Sequence, residues 1–228
     1  VRIEAARRLV GEPSGYLRPD QRRVYETALK EYQGAMEYSA DFAFGQYNLA
    51  NLYAALNRPE EAIQYYRGAI AIDTLFYPAK VNLAMLYSRM GKKKEAEVLL
   101  REVLAEQPQL HDIAYSLGLL MAEEKRYDEA VLYLQRAAEN MPQRARVHYN
   151  LGLLLAQRGR DSKAEAALLE ALEIEPDNLG FLYALAEFYV KRGRLADAKP
   201  LAERMVAKYP SNPMGRNLLD FLNRKPKE

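Results

Sequence analysis

Residues 179–212 read LGFLYALAEFYVKRGRLADAKPLAERMVAKYPSN. In the first part, Leu182, Leu185, Ala186 and Tyr189 fall three and four apart, which places them on one stripe of a helix. A polar turn follows at Arg192-Gly193-Arg194. Beyond it Leu195, Ala198, Leu201, Ala202, Met205 and Val206 form a second helical stripe. The stretch therefore predicts two antiparallel helices, closed by Pro210, which cannot continue the second one.

Working outward, the same pattern recurs at a fixed step. Alanine stands at Ala62, Ala96, Ala130, Ala164 and Ala198, each 34 residues from the last. Further rows in the same phase are Leu49, Leu83, Leu117, Leu151 and Leu185; Ala50, Ala84, Gly118, Gly152 and Ala186; and Ala69, Val103, Ala137, Ala171 and Met205. Thr74, Pro108, Pro142, Pro176 and Pro210 close the units. Gly91, Gly159 and Gly193 stand where a first helix ends and a left-handed residue is needed. One helix pair cannot cover its own apolar face, so such units must stack. Small residues are expected where the two helices of a pair cross closely.

Composition is consistent with this. Apolar residues make up 49% and charged residues 28% of the 228, as in ordinary folded proteins. The 33 basic and 31 acidic side chains leave a net charge of +2, too little excess to predict a nucleic-acid partner. Cysteine is absent, which removes disulfides, thiolate metal sites and a cysteine nucleophile from this stretch. The longest apolar runs, Leu117 to Ala122 and Leu151 to Ala156, are far shorter than a membrane span. No signal peptide is visible, and the compartment stays open.

Two strings, YNLANLYAALNRPEEAIQYYRGAIAID at 47–73 and HYNLGLLLAQRGRDSKAEAALLEALEIEP at 148–176, resemble the tetratricopeptide repeat family. The resemblance covers residues 43–212 and implies an all-α fold, a right-handed α-α superhelix with first helices on its inner surface. Five full repeats are expected, at 43–76, 77–110, 111–144, 145–178 and 179–212. Residues 213–228 read as a capping helix and tail: Asn212 can cap it, Pro213 suits its first turn, and Leu218, Leu219 and Leu222 can cover the last repeat.

Residues 1–42 read as an N-terminal helical cap. A helix is expected from Asp20 to Ser39, with Val24, Ala28, Tyr32, Ala35 and Met36 on one face. Ala28 and Ala35 lie one period before Ala62 and Ala69, so this helix reads as the second half of a repeat. Residues 1–11, VRIEAARRLVG, resemble the end of a HEAT-type repeat; an amphipathic capping helix is the other reading. The HEAT reading would make the chain part of a larger protein, similar in style to the tails of certain exported multihaem cytochromes.

No catalytic constellation is found. His111 and His148 belong to different units and make no metal-ligand pair by spacing, and no phosphate loop or serine elbow occurs. Neither metal nor cofactor is expected. The basic turns, Arg89 with Lys92 to Lys94, Arg158 with Arg160, and Lys191 to Arg194, read either as cations at helix ends or as a rim for an acidic partner.

The resemblance puts certain first-helix residues on an inner groove. In phase, these are Tyr47, Tyr115, Tyr149 and Tyr183, with Val81 interrupting, and Asn48, Asn82, Ser116 and Asn150, with Ala184 interrupting. Asn51 follows Tyr47 by one turn, and Arg146 precedes Asn150. Asparagine offers donor and acceptor together, which suits a peptide backbone; tyrosine offers contact area with little entropy to lose. The same residues could instead brace neighbouring helices. The family's carboxylate clamp for chaperone tails keeps Asn51 and Asn82 here, but Tyr47, Asp112 and Ser116 replace its cations. The expected function is a non-catalytic scaffold holding a peptide or protein segment. Self-association into a homo-oligomer, or service as the docking tail of a larger enzyme, is the alternative.

Overall fold

Ala62, Ala96, Ala130, Ala164 and Ala198 are all fully buried, each on the second helix of a pair where it meets the first. The computed structural model describes residues 17–224 together with Arg8 and Val10, and these contain twelve helices and no strand. Apart from Arg8 and Val10, the expected HEAT-like segment lies outside the described residues, as do the loop Gly11 to Gly15 and the last four residues. The chain forms two compact units, Val1–Pro108 and Gln109–Glu228.

The first unit holds α1 (Pro19–Glu37), α2 (Ala43–Ala55), α3 (Pro59–Ile72), α4 (Tyr77–Arg89) and α5 (Lys93–Glu106). The pairs α2/α3 and α4/α5 are antiparallel neighbours, and α3 also packs on α4. The second unit holds α6 (His111–Glu123), α7 (Tyr127–Asn140), α8 (Ala145–Gln157), α9 (Asp161–Ile174), α10 (Leu179–Lys191), α11 (Leu195–Lys208) and α12 (Pro213–Arg224). Here the pairs α6/α7, α8/α9 and α10/α11 stack in order, and α12 rests on α11.

Every turn between the helices of a pair is built alike. Asn57, Gly91, Lys125, Gly159 and Gly193 hold φ of 57°, 76°, 61°, 68° and 75°. The next N–H closes a six-residue loop to the first helix: Arg58 to Tyr53, Lys92 to Tyr87, Arg126 to Met121, Arg160 to Leu155 and Arg194 to Tyr189, all at 2.8–2.9 Å. This is the left-handed helix stop expected at three glycines; Asn57 and Lys125 adopt it as well.

Close packing explains the small residues of the first helices. A Cβ added at Gly118 would lie 2.8 Å from Leu134 side-chain atoms, and one at Gly152 would lie 2.7 Å from Leu168 Cγ. Those leucines fill the space that the glycines leave.

The ends differ from the middle. On α1, Ala28 is buried and Tyr32 and Met36 are half-buried, but Val24 and Ala35 are exposed. The expected five-residue apolar face is therefore only partly covered: among the described residues no first helix pairs with α1 as α2 pairs with α3. On α12, Gly215 sits against Met205 Cβ and the Val206 backbone, Leu222 is buried, and Asn212 Oδ1 accepts the Met214 N–H at 2.9 Å. One period after the buried Leu182, Ala186 and Tyr189, α12 instead carries exposed Arg216, Asp220 and Asn223. The face of α12 in that phase is thus polar.

Candidate peptide-docking face

The tyrosines and asparagines expected on the groove are half-buried on the first helices. In the first unit they form one network. Asn82 Nδ2 on α4 donates to Tyr47 Oη at 3.2 Å and to Asn51 Oδ1 at 2.9 Å, both on α2. Tyr66 of α3 donates to the same Asn51 oxygen at 2.6 Å. The Tyr47 ring meets Phe76 edge-on, 5.4 Å between centroids. Burial pushes the Tyr66 hydroxyl pKa above its ordinary value, which keeps it a neutral donor. Asn48 is half-buried and its side chain makes no hydrogen bond among the described residues.

The second unit repeats the pairing. Asn150 Nδ2 of α8 donates to Tyr115 Oη of α6 at 2.7 Å, the same 35-residue offset as Asn82 to Tyr47. The series stops at Ala184, which has no amide to give Tyr149. That ring instead packs on Phe181 of α10, 4.8 Å between centroids. Arg146 lays its guanidinium 5.8 Å from the Tyr149 centroid and 5.6 Å from that of Phe181. Arg144 covers Tyr115 at 5.1 Å and is ion-paired to Asp112. Tyr183 lines a groove of about 330 Å³ between α10 and α12, together with Val190, Met214, Leu218 and Phe221.

Thus Tyr47, Asn51 and Asn82 come together in one unit, and Tyr115 with Asn150 in the other, where Arg146 and Tyr149 make a separate aromatic cluster. What the pairing leaves open is specific: the Asn51 amide nitrogen and the carbonyl oxygens of Asn82 and Asn150 have no hydrogen-bond partner among the described residues. Beside them stand two residues that sequence reasoning passed over, Met85 (57% exposed) and Leu153 (38% exposed). Their signal was present. Each follows the buried leucine row by two residues, Leu83 and Leu151, and two residues carry a helix through about 200°, to its opposite side.

The basic turns are mostly neutralised. Arg158 pairs with Asp128 at 3.3 Å, Arg192 with Asp161 at 2.7 Å, and Arg194 with Glu165 at 2.6 Å and Asp197 at 2.7 Å. Those hydrogen bonds hold the Asp161 and Glu165 carboxyls below the usual range. In the second unit these cations join stacked pairs; they do not form an open rim there. His148 is buried with Nε2 3.0 Å from the Pro142 carbonyl oxygen, a structural role. Among the described residues no group of three or more His, Cys, Asp or Glu side chains could hold a metal, and no helix is long and apolar enough to cross a membrane.

Paired helices at a 34-residue step, left-handed turns and small residues at the crossings define an α-α repeat protein. Sequence profiles of the tetratricopeptide repeat match residues 54–120 and 166–220, and a second profile matches 20–74 and 126–179. The chain belongs to the tetratricopeptide repeat family. Among solved structures it is similar to YrrB, described as a tetratricopeptide protein with an unusual peptide-binding site, at 22% identity and a TM-score of 0.68, over 81% of this chain and 95% of that one. A MamA fragment from Desulfovibrio magneticus RS-1 gives 19% identity and 0.66, covering 80% and 97%. PilF from Pseudomonas aeruginosa gives 22% and 0.66, covering 83% and 85%. At these identities the likeness is one of fold. No curated protein sequence matches the chain.

Proposed function

We propose that the chain is a non-catalytic interaction scaffold that holds a peptide or protein segment along its first helices. One observation carries this reading. The Tyr–Asn pairs fix the asparagine amides in place: in the first unit the Asn51 amide nitrogen and the Asn82 side-chain oxygen stay unpartnered beside exposed Met85, and in the second the Asn150 side-chain oxygen stays unpartnered beside Leu153. Amides already held by the fold lose little freedom on meeting a peptide backbone, and neighbouring apolar side chains can take the peptide's own. YrrB, of similar fold, is described as peptide-binding, which supports the same reading.

The test is affinity capture with wild type and with Leu153→Glu and Asn48→Arg, neither of which breaks an internal hydrogen bond. Both variants should keep wild-type helicity and lose the captured partner. Equal capture by both would sink the reading.

A second reading, self-association or stacking on further domains, is favoured by Tyr38 (94% exposed), Phe42 (69%) and Phe44 (63%) around the α1–α2 connection. Light scattering over a concentration range decides it: concentration-dependent growth that Phe42→Ser abolishes supports it, and a constant monomer mass removes it.

A further inference from the structure

We infer that the first unit takes segments that bring an acidic side chain to the C-terminal end of α4, where Arg89 stands with Lys92 and Lys94. The inference rests on the docking function proposed above and specifies the charge of its ligand.

The turns of this chain treat their cations in two ways. Arg58 after α2 is ion-paired to Glu61, and in the second unit Arg158 is closed by Asp128, Arg192 by Asp161, and Arg194 by Glu165 and Asp197. The α4–α5 turn departs from this. Arg89, Lys92 and Lys94 are exposed, and none of the three has an acid within ion-pair distance among the described residues. The Lys92 ammonium lies 5.8 Å from the Tyr87 ring centroid. Glu95, three residues after Lys92, is exposed and closes none of them.

The docking face beside this turn has no acid to answer it. No charged side chain occurs on α2, and α4 carries only Lys80 and Arg89, of which Lys80 is paired to Glu102 at 3.2 Å. An acid on the ligand supplies the missing complement. The position also continues the face already described. Asn82, Met85 and Arg89 are three and four residues apart, on one stripe of α4, and Met85 is exposed. Burial raises the Tyr66 pKa, and the charge of Arg89 works against that rise, so Arg89 is within electrostatic reach of the Tyr66–Asn51–Asn82 network. Seven residues of helix rise about 10 Å, which an extended chain covers in about three residues. A segment held at the Asn82 amide thus meets Arg89 with an acid about three positions along, an apolar side chain between them lying on Met85. The ring at this turn, Tyr87, is buried and gives bases no stacking platform, so an acidic peptide fits better than nucleic acid.

The probe is a phage-displayed library of random twelve-residue peptides, selected on the whole chain at low salt. Enriched peptides should carry Asp or Glu within about three positions of an apolar residue. A synthetic copy of one, amidated at its C-terminus, should bind at least tenfold more weakly to Arg89→Glu and unchanged to Lys199→Glu, which reverses an exposed cation of the second unit; circular dichroism should be unaltered in both. Changing the peptide's acid to the amide should weaken its binding to wild type and erase the difference between wild type and Arg89→Glu. Enriched peptides without an acid, or acidic ones that Lys199→Glu weakens as much as Arg89→Glu does, would overturn this inference and leave the docking function standing. Single-stranded DNA that binds more tightly than the peptide, with the same dependence on Arg89, would do likewise. Enrichment of no peptide would overturn both.

Discussion

Lys125 is the residue whose backbone does what its side chain least favours. It holds φ at 61° in the turn where three other pairs use glycine, and a left-handed conformation costs a non-glycine residue about 1–2 kcal/mol. Lys125→Gly should therefore raise stability by about 1 kcal/mol, read as a higher urea midpoint at unchanged slope. Gly152 poses the opposite case. Alanine there gains roughly 1 kcal/mol of helix propensity but drives its methyl into Leu168 Cγ and close to the Leu168 backbone nitrogen. Overpacking of that kind costs roughly 1–3 kcal/mol, so Gly152→Ala should lower the same midpoint. The sequence announced Gly152 as a small-residue position, because its row is periodic. It did not announce Lys125, because nothing in a lysine side chain signals a positive φ; only its place one period after Gly91 does.

Between helices, the ion pairs of the second unit make stability depend on pH. Glu165 accepts from Arg194 and from Tyr189. Its lowered pKa means that its contribution is complete above the ordinary carboxylate range and is lost as pH falls through the lowered value. Tyr189 is pushed up to about 12, first by burial and then by its hydrogen bond to Glu165. Its contribution is complete below pH 10 and is lost as pH rises towards 12. Glu165→Gln should flatten the acid limb of a stability–pH curve. It should also bring Tyr189 ionisation below its present value, seen in the phenolate absorbance. An unchanged acid limb would count against the pair. Exposed ion pairs are worth only about 0.2–1 kcal/mol each, so the effect is one of slope. The helices carrying these groups were legible from the apolar stripes. Their pairing was not, since an arginine after a helix reads alike whether it faces water or the acid of a neighbouring helix. The same holds for the site: the Tyr and Asn rows could be counted off, but their 35-residue hydrogen bonds depend on the offset between first helices, which side-chain spacing alone does not give.

At the scale of the molecule, each unit owns a core of stacked pairs, from Leu49 and Ala62 in the first to Leu185 and Ala198 in the second. Stacks of this kind hold through nearest-neighbour contacts, and any apolar outer face would accept one more pair from anywhere, including another molecule. The outer face of α12 offers Arg216, Asp220 and Asn223 instead. Head-to-tail joining repeats without closing unless the rotation happens to make a ring, and three polar side chains disfavour such a contact at α12. Giving α12 the residues of α10 in their place, Arg216→Leu with Asp220→Ala and Asn223→Tyr, should make the protein form filaments as concentration rises, read by light scattering against the unaltered chain.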